Sequence, residues 1–591
     1  MIALASLGEA SEAAPGAGAV APAESKALQS GDLQSYDERV VVVWAAAYMA
    51  VFVIGNFLHR KHIAAVPESV VAICVGALIG WICQAVESIH FTDSVRIEGT
   101  VSTVVLNFIL LPIIIFESGW SLRRRHFFHQ LGYILIFAVF GTLISTLVVG
   151  SLILSTSDIH GVAHARTAFA YAALISAVDP VATLSTYSHL NVEPLLSVLV
   201  FGESVINDAV AIALFKVLND PSDPGDMFSD QHSVAHAVSK IAFGMTGLLL
   251  GSIALGLALG CFHILVLRFG RMSHSPAMEI LYICTSSYFT YAFAEGVCGM
   301  SGIITVLLAG ILMRCYATPH LTVEGRILCS FLLKQMASVA DLAVFFFVGI
   351  AVTFVSSNGL IFGCLVMAFC LAGRAAAVVP LGLLTNAIKA VVGRDVPEEK
   401  KMRLTWRHLF MMFHAGLRGG IALMLTLELG PWVENIEAPD TRDVLRNATV
   451  VVICCFLLVF GGTTPMTLRC LGIQMGEEKA SVATGQLTRL QKPSGCYWKC
   501  LQWLHTNVVN PALVGKPDVE VRMRDGVVTA VLAQAERLEG HASGRAGSVI
   551  RRHRTVSGSS AVTQRTHVED MFGLFGTDDP AGLKEEEEEE L

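Results

Sequence analysis

Along this chain, long apolar stretches alternate with short polar ones. A bilayer's hydrocarbon core takes about 20 apolar residues per helix. Stretches of that kind lie near 40–57, 69–86, 100–117, 131–154, 166–187, 195–217, 238–268, 278–296, 299–314, 330–354, 358–387, 407–428 and 447–470. They predict an all-α polytopic membrane protein with about thirteen transmembrane helices. Residues 1–36 are rich in Ala, Gly and Ser and lack the basic start and apolar core of a secretory signal, so a disordered tail is expected there. After residue 475 the apolar pattern stops. The chain thus divides into a tail (1–36), a transmembrane domain (37–475) and a cytosolic regulatory tail (476–591), the last largely disordered after about 535.

The loops orient the spans. Short cytoplasmic loops collect Lys and Arg. Basic residues fall at Arg60–Lys61, Arg123–Arg125, Arg268–Arg271 and along KAVVGRDVPEEKKMRLTWR (389–407), always in alternate loops. The intervening loops are neutral or acidic, such as NDPSDPGDMFSD (219–230) and ELGPWVENIEAPD (428–440). The pattern predicts an outside or lumenal N-terminus, an odd number of spans and a cytosolic C-terminus. Composition supports the membrane assignment: 53% of residues are hydrophobic and 15% charged, against roughly 25% charged in soluble domains. The mean hydropathy is +0.60. The net charge of −8 is spread unevenly, with many of the acids in the tail and its EEEEEEL end, and says little about partners; no nucleic-acid partner is expected. The 14 cysteines lie mostly in apolar runs, with neither disulfide nor zinc spacing.

Beyond the spans, CYWKCLQWLH (496–505) is a candidate membrane-surface element, and RRHRTVSGSS makes Thr555 and Ser557 candidate phosphosites for a basophilic kinase. Asn447-Ala-Thr is a glycosylation sequon, but it abuts a span.

The informative residues are the polar ones inside the apolar stretches, because an ionised group at membrane depth is costly and is by default a functional candidate. FGESVINDAV (201–210) carries Glu203, Ser204, Asn207 and Asp208. Ser204 and Asp208 are four apart and share a helix face, while Glu203 and Asn207 share the adjacent one. Hydroxyl, amide and carboxylate oxygens are hard ligands, suited to a small cation or a proton. In ALISAVDPVATLSTY (173–187), Asp179 precedes Pro180, which breaks the helical ladder. A second break is expected in HAGLRGGIALML (414–425), where Arg418 lies among Gly416, Gly419 and Gly420. Discontinuous helices at the midplane mark secondary-transporter sites. The breaks fall in the fifth and twelfth spans, matching two inverted six-helix repeats with the seventh span as linker. Arg374 and Asp341 are further buried charges, with Glu203 and Arg418 as counter-ions in a structural network. GxxxG spacings at Gly247/Gly251 and Gly256/Gly260 suit either a dimer contact or packing within the protomer.

At these residues the chain resembles a eukaryotic sodium/proton exchanger of the monovalent cation/proton antiporter superfamily. AVDPVATL, LVFGESVINDAV, FESGWSLRRRHFF, SGIITVLLAGILMR and GLRGG carry the likeness, which covers roughly 40–475. FESG with SLRRRHFF is most like the organellar type, implying a Golgi or endosomal membrane, with the plasma membrane as the alternative. The resemblance implies a homodimer and transport by alternating access. Asp208 would bind the ion, Na+ or K+, and the proton in turn. Asn207, Ser204 and Asp179 would complete the site, and Glu203 would pair with Arg374. No cofactor is implied. Two departures stand out: Ile113 in LPIIIF, where the family often has a second proline, which bears on amiloride sensitivity, and Asp341, where Glu is common.

Other functions fit less well. An intramembrane aspartyl protease would also need two membrane aspartates, but Val178 and Asn207 precede them here instead of that class's Tyr-Asp and Gly-x-Gly-Asp motifs. A primary pump would need a phosphate-binding loop of the GxxxxGK[ST] type, which is missing from this sequence. A monovalent cation channel is not separated by residues alone; it predicts large currents. With Asn207 neutral beside Asp208, one carboxylate exchanging one cation for one proton predicts an electroneutral 1:1 antiporter.

Overall fold

The computed structural model describes residues 38–60, 68–85, 105–122, 124–179, 192–220, 234–270, 275–392 and 404–473, with isolated positions around 183–190 and 475–514. The 1–36 tail, Pro180, Thr555 and Ser557 lie outside the described residues. The chain separates into two units between Met49 and Ala50, and the second unit contains the packed interior.

Every regular element among the described residues is helical. The α-helices of eight or more residues are α1 (Glu38–Arg60), α2 (Glu68–Ala85), α3 (Leu111–Ser121), α4 (Arg124–Leu135), α5 (Gly141–Ser155), α6 (Ala165–Ile175), α7 (Pro194–Leu218) and α8 (Val234–Phe269). They continue as α9 (Pro276–Gly296), α10 (Gly302–Tyr316), α11 (Val323–Val352), α12 (Ser357–Val392), α13 (Trp406–His414), α14 (Gly420–Leu427), α15 (Thr441–Phe456) and α16 (Gly462–Cys470). Single π-helical turns precede α3 (Val105–Leu110), join α4 to α5 (Ile136–Phe140) and join α15 to α16 (Leu457–Gly461).

Among the described residues, six helical stretches are long and apolar enough to cross a membrane: Gln130–Ser155, Leu195–Leu218, Ala235–Phe269, Val323–Val352, Ser357–Ile388 and Thr441–Cys470. They differ sharply in burial. The α7 stretch is 89% buried, whereas that of α8 is 28% buried and exposes Phe243, Leu250, Leu257 and Phe262. An apolar helix exposed on most of its circumference is stable only in an apolar solvent, so α8 is a lipid-facing or partner-facing helix. α7 is central and packs against α4, α5, α6, α8, α13 and α14.

Small residues set how closely the helices approach. A Cβ on Gly76 of α2 would meet backbone of α11, at 3.1 Å from Gly349 Cα. A Cβ on Gly119 of α3 would lie 3.2 Å from Ile311 N of α10, and one on Gly310 would lie 2.8 Å from Phe116 O. On α8, Gly256 and Gly260 press against Thr305, Leu308, Ala309 and Leu312 of α10, and Gly251 meets Met300. These α8 spacings are therefore occupied by packing within the protomer; only Gly247 has nothing within 4 Å. A second set ties α12 to α5 through Gly373 against Ser145 and Val149, and to α15 through Gly363 against Val451. Without a hydrophobic driving force between helices in lipid, close contact of this kind is what associates them.

Candidate functional site

Two helices stop inside the packed interior. α6 ends at Ile175, and residues 177–179 are non-helical. The sequence places the break at Pro180; the helix stops earlier because the proline ring at i clashes with the carbonyl at i−4, here Ser176, and drives Asp179 out of the α region. α13 ends at His414, residues 416–419 are non-helical, and α14 starts at Gly420. Gly420 thus belongs to the resumed helix and not to the interruption.

The two interruptions cross. The Asp179 amide donates to Leu417 O at 2.8 Å. Arg418, 1% exposed, donates through Nη1 to Ser176 O at 2.8 Å and Ala177 O at 3.0 Å. A helix C-terminus leaves carbonyls unpaired and carries partial negative charge, and a guanidinium meets both needs. The sequence suggests Arg418 as a counter-ion to a buried carboxylate; Asp208 is a charged neighbour of it, and its Nη1 bonds go to the end of α6. Gly419, before the first turn of α14, lies against the Asp179 side chain so closely that a Cβ there would overlap it. A carboxylate at the start of a helix is favoured by the helix dipole. Gly416 likewise leaves room for Arg374, whose Nε would be 2.9 Å from a Cβ.

α7 runs beside this crossing. Asn207, 2% exposed, accepts the Val178 N–H on Oδ1 at 3.2 Å, so it fixes the backbone next to Asp179. Asp208, 5% exposed, has Asp179 and Arg418 as charged neighbours, and its Oδ1 has no hydrogen-bond partner among the described residues. Ser204 is buried but is not on the cavity wall. Glu203 and Arg374 form an ion pair in which Arg374 also donates to Met412 O at 2.8 Å.

Asp208 opens onto a cavity of about 50 Å³. Asp179 and Asp341 line it as well, with Ser118, Gly419, Gly420 and apolar side chains of α3, α7, α10, α11 and α14. A water needs roughly 10–15 Å³ measured in this way, so the cavity has room for one small cation with a few waters. Asp341, which the sequence groups with Glu203, Arg374 and Arg418 in a structural charge network, therefore stands at the cavity with Asp208. Its charged neighbours are Asp179 and Glu117. Sequence reasoning passes over Glu117 and Ser118 as site residues, although the same rule, a charge inside the apolar run LPIIIFESGW, would have found Glu117.

Interrupted helices crossing beside buried carboxylates in a polytopic helical protein define a secondary ion transporter. The chain matches the family model described as sodium/hydrogen exchanger, transmembrane, over residues 48–470, and it belongs to that family. It is 31% identical to sodium/hydrogen exchanger 8 of Mus musculus over 458 residues, covering 76% of this chain and 75% of that one. It is 32% identical to sodium/hydrogen exchanger 1 of Dictyostelium discoideum over 445 residues, covering 74% and 60%. Against human sodium/hydrogen exchanger 9 the identity is 31% over 381 residues, covering 62% of this chain and 55% of that one. The fold is similar to that of the sodium proton antiporter MjNhaP1 from Methanocaldococcus jannaschii, with TM-score 0.53 and 15% identity over 73% of this chain and 99% of that one. The protein is thus an integral, multi-pass sodium/proton antiporter and not an enzyme. The channel and protease readings find no support.

Proposed function

We propose that the protein exchanges one Na+ for one proton at Asp208 by alternating access, as a homodimer of thirteen-span protomers with two inverted six-helix repeats. K+ is a second candidate cation, since the same oxygen ligands serve both. The observation that carries this reading is the small cavity on which Asp208, Asp179 and Asp341 converge while Arg418 is held by carbonyls.

A bare ionised carboxylate in such a site costs several kcal/mol, and either a cation or a proton removes the cost. The two occupied states are therefore favoured and the empty charged state is not, which couples the two fluxes. The size of the cavity supports one cation per cycle. Val178 and Asn207 hold the backbone beside Asp179, so the ligands do not collapse on one another when the ion leaves. The cavity wall draws on α3, α10 and α11 and on α7, α14 and the segment after α6. Sliding of one set against the other would open the site alternately to each face, the shear type of motion. The FESG and SLRRRHFF motifs support a Golgi or endosomal membrane, and the alternation of basic loops supports a cytosolic C-terminus.

The test is cation-dependent pH change in proteoliposomes, comparing Na+, K+ and Li+. A 1:1 exchanger responds to each transported cation and ignores a potential set by valinomycin. Proton flux driven by the potential without a cation gradient would overturn the stoichiometry.

A further inference from the structure

Several walls of the cavity run on, in one direction, into a second group of polar side chains. In the π-helical turn before α3, Asn107 precedes the wall residue Leu111 by four positions, and Glu428, the C-cap of α14, follows the wall residue Met424 by four. On α7 the wall residue Ala209 precedes Lys216 by seven, a rise of about 10 Å. On α10 the wall residue Ile303 follows Gly302. On the α-helical elements α7 and α14, spacings of seven and four keep such residues on one face.

The four lines converge. Asn107 Nδ2 donates to Glu428 Oε1 at 2.6 Å. Lys216 forms an ion pair with Glu295 of α9, and Glu295 Oε2 accepts the Gly302 N–H at 2.8 Å. Glu428 has Lys216 and Glu295 as its charged neighbours. Asn219 holds the Glu428 carbonyl at 2.9 Å and so fixes the end of α14. Two acid side chains thus face one ammonium, so the group holds one more acid than base. Asn107 is 6% exposed, and its Oδ1 has no hydrogen-bond partner among the described residues. A buried hard oxygen without a donor, beside an excess acid side chain, matches what a monovalent cation requires.

We propose that Glu428, Glu295 and the Asn107 amide oxygen form a second, transient station for the same monovalent cation, between the cavity and the face where α7 ends and the acidic 428–440 loop lies. The Lys216 ammonium is its resident counter-ion, which the incoming cation displaces. The station rests on the exchanger reading, but it makes a separate claim, that apparent cation affinity is set differently at the two faces.

The experiment uses the full chain in sealed right-side-out and inside-out vesicles, with sodium chloride titrated on one face at a time. Glu428→Gln is expected to raise the sodium concentration for half-maximal exchange by roughly threefold or more from the acidic-loop face, and to leave the value from the other face unchanged. Lys216→Met is expected to lower it on the same face only. Equal shifts on both faces, or none in either variant, would overturn the station. Exchange absent from the wild type would instead sink the exchanger reading. Glu295→Gln serves in place of Lys216→Met if that variant does not reach the membrane; it should shift the acidic-loop face alone, in the direction of Glu428→Gln, and a shift on both faces or none would count against the station.

Discussion

Arg374 on α12 donates to both carboxylate oxygens of Glu203 on α7, across 171 positions of chain, with the Nη2–Oε2 contact at 3.1 Å. The pair joins the central helix to α12, and the Met412 carbonyl accepts a third bond from the same guanidinium. Glu203 is 1% exposed and Arg374 6%.

Removing one partner of a buried pair leaves an uncompensated charge at a cost of about 3–5 kcal/mol. Arg374→Ala is expected to lower the amount of folded protein in the membrane. The exchanged double variant, Glu203→Arg with Arg374→Glu, should recover part of the loss. Recovery stays partial because glutamate cannot donate to Met412 O. Fluorescence-detected size exclusion measures the folded fraction, and a double-mutant cycle without coupling would contradict direct pairing.

The crossing makes a sharper demand. A methyl at Gly419 would occupy the place of the Asp179 side chain, so Gly419→Ala is expected to destabilise the crossing by about 1–3 kcal/mol and to abolish exchange. Gly132→Ala on α4 is the control, because nothing lies within 4 Å of a Cβ there. Sodium-dependent proton flux in the two variants, normalised to folded protein, checks this. Wild-type flux in Gly419→Ala would mean that Asp179 moves freely.

The loop from His160 to His164 gives a pH dependence with a definite sign. His160 Nδ1 accepts the Val162 N–H at 3.2 Å, and His164 Nδ1 accepts the Arg166 N–H at 3.3 Å. Burial lowers both histidines from the usual 6.5, partly opposed by Glu437. The folded state therefore binds fewer protons than the unfolded one, and stability is lost as pH falls from about 6.5 through the lower folded values. Protonation also removes each acceptor bond, worth about 1 kcal/mol. Wild-type protein should lose melting temperature below pH ~6.5 more steeply than a His160→Asn, His164→Asn double variant, since asparagine caps without titrating. Parallel melting curves against pH would contradict the assignment.

Much of the helical order is legible in the sequence because spans and basic loops are written at the scale of whole segments. The interruptions are legible as well, since Pro180 and the glycines around Arg418 have few other uses in an apolar helix. Two things are not. Arg418 is matched to a carboxylate because sequence counts charges, and Asp208 does neighbour it, but its bonds to the carbonyls after α6 are recorded by no residue letter. Asp341 is placed in a structural network because spacing along α11 does not tell which face meets α7. The Asn107, Lys216, Glu295 and Glu428 group is missed for a similar reason: its members lie on separate helices near the loop boundaries, where polar residues draw no attention.

The central claim is that Asp208 is the group that cation and proton share. Asp208→Asn keeps the size of the side chain and removes its charge, so the variant should fold and elute as the wild type does. Sodium-driven proton flux in proteoliposomes is the direct measurement. The account predicts flux at the level of protein-free vesicles for Asp208→Asn; wild-type flux in that variant would contradict it.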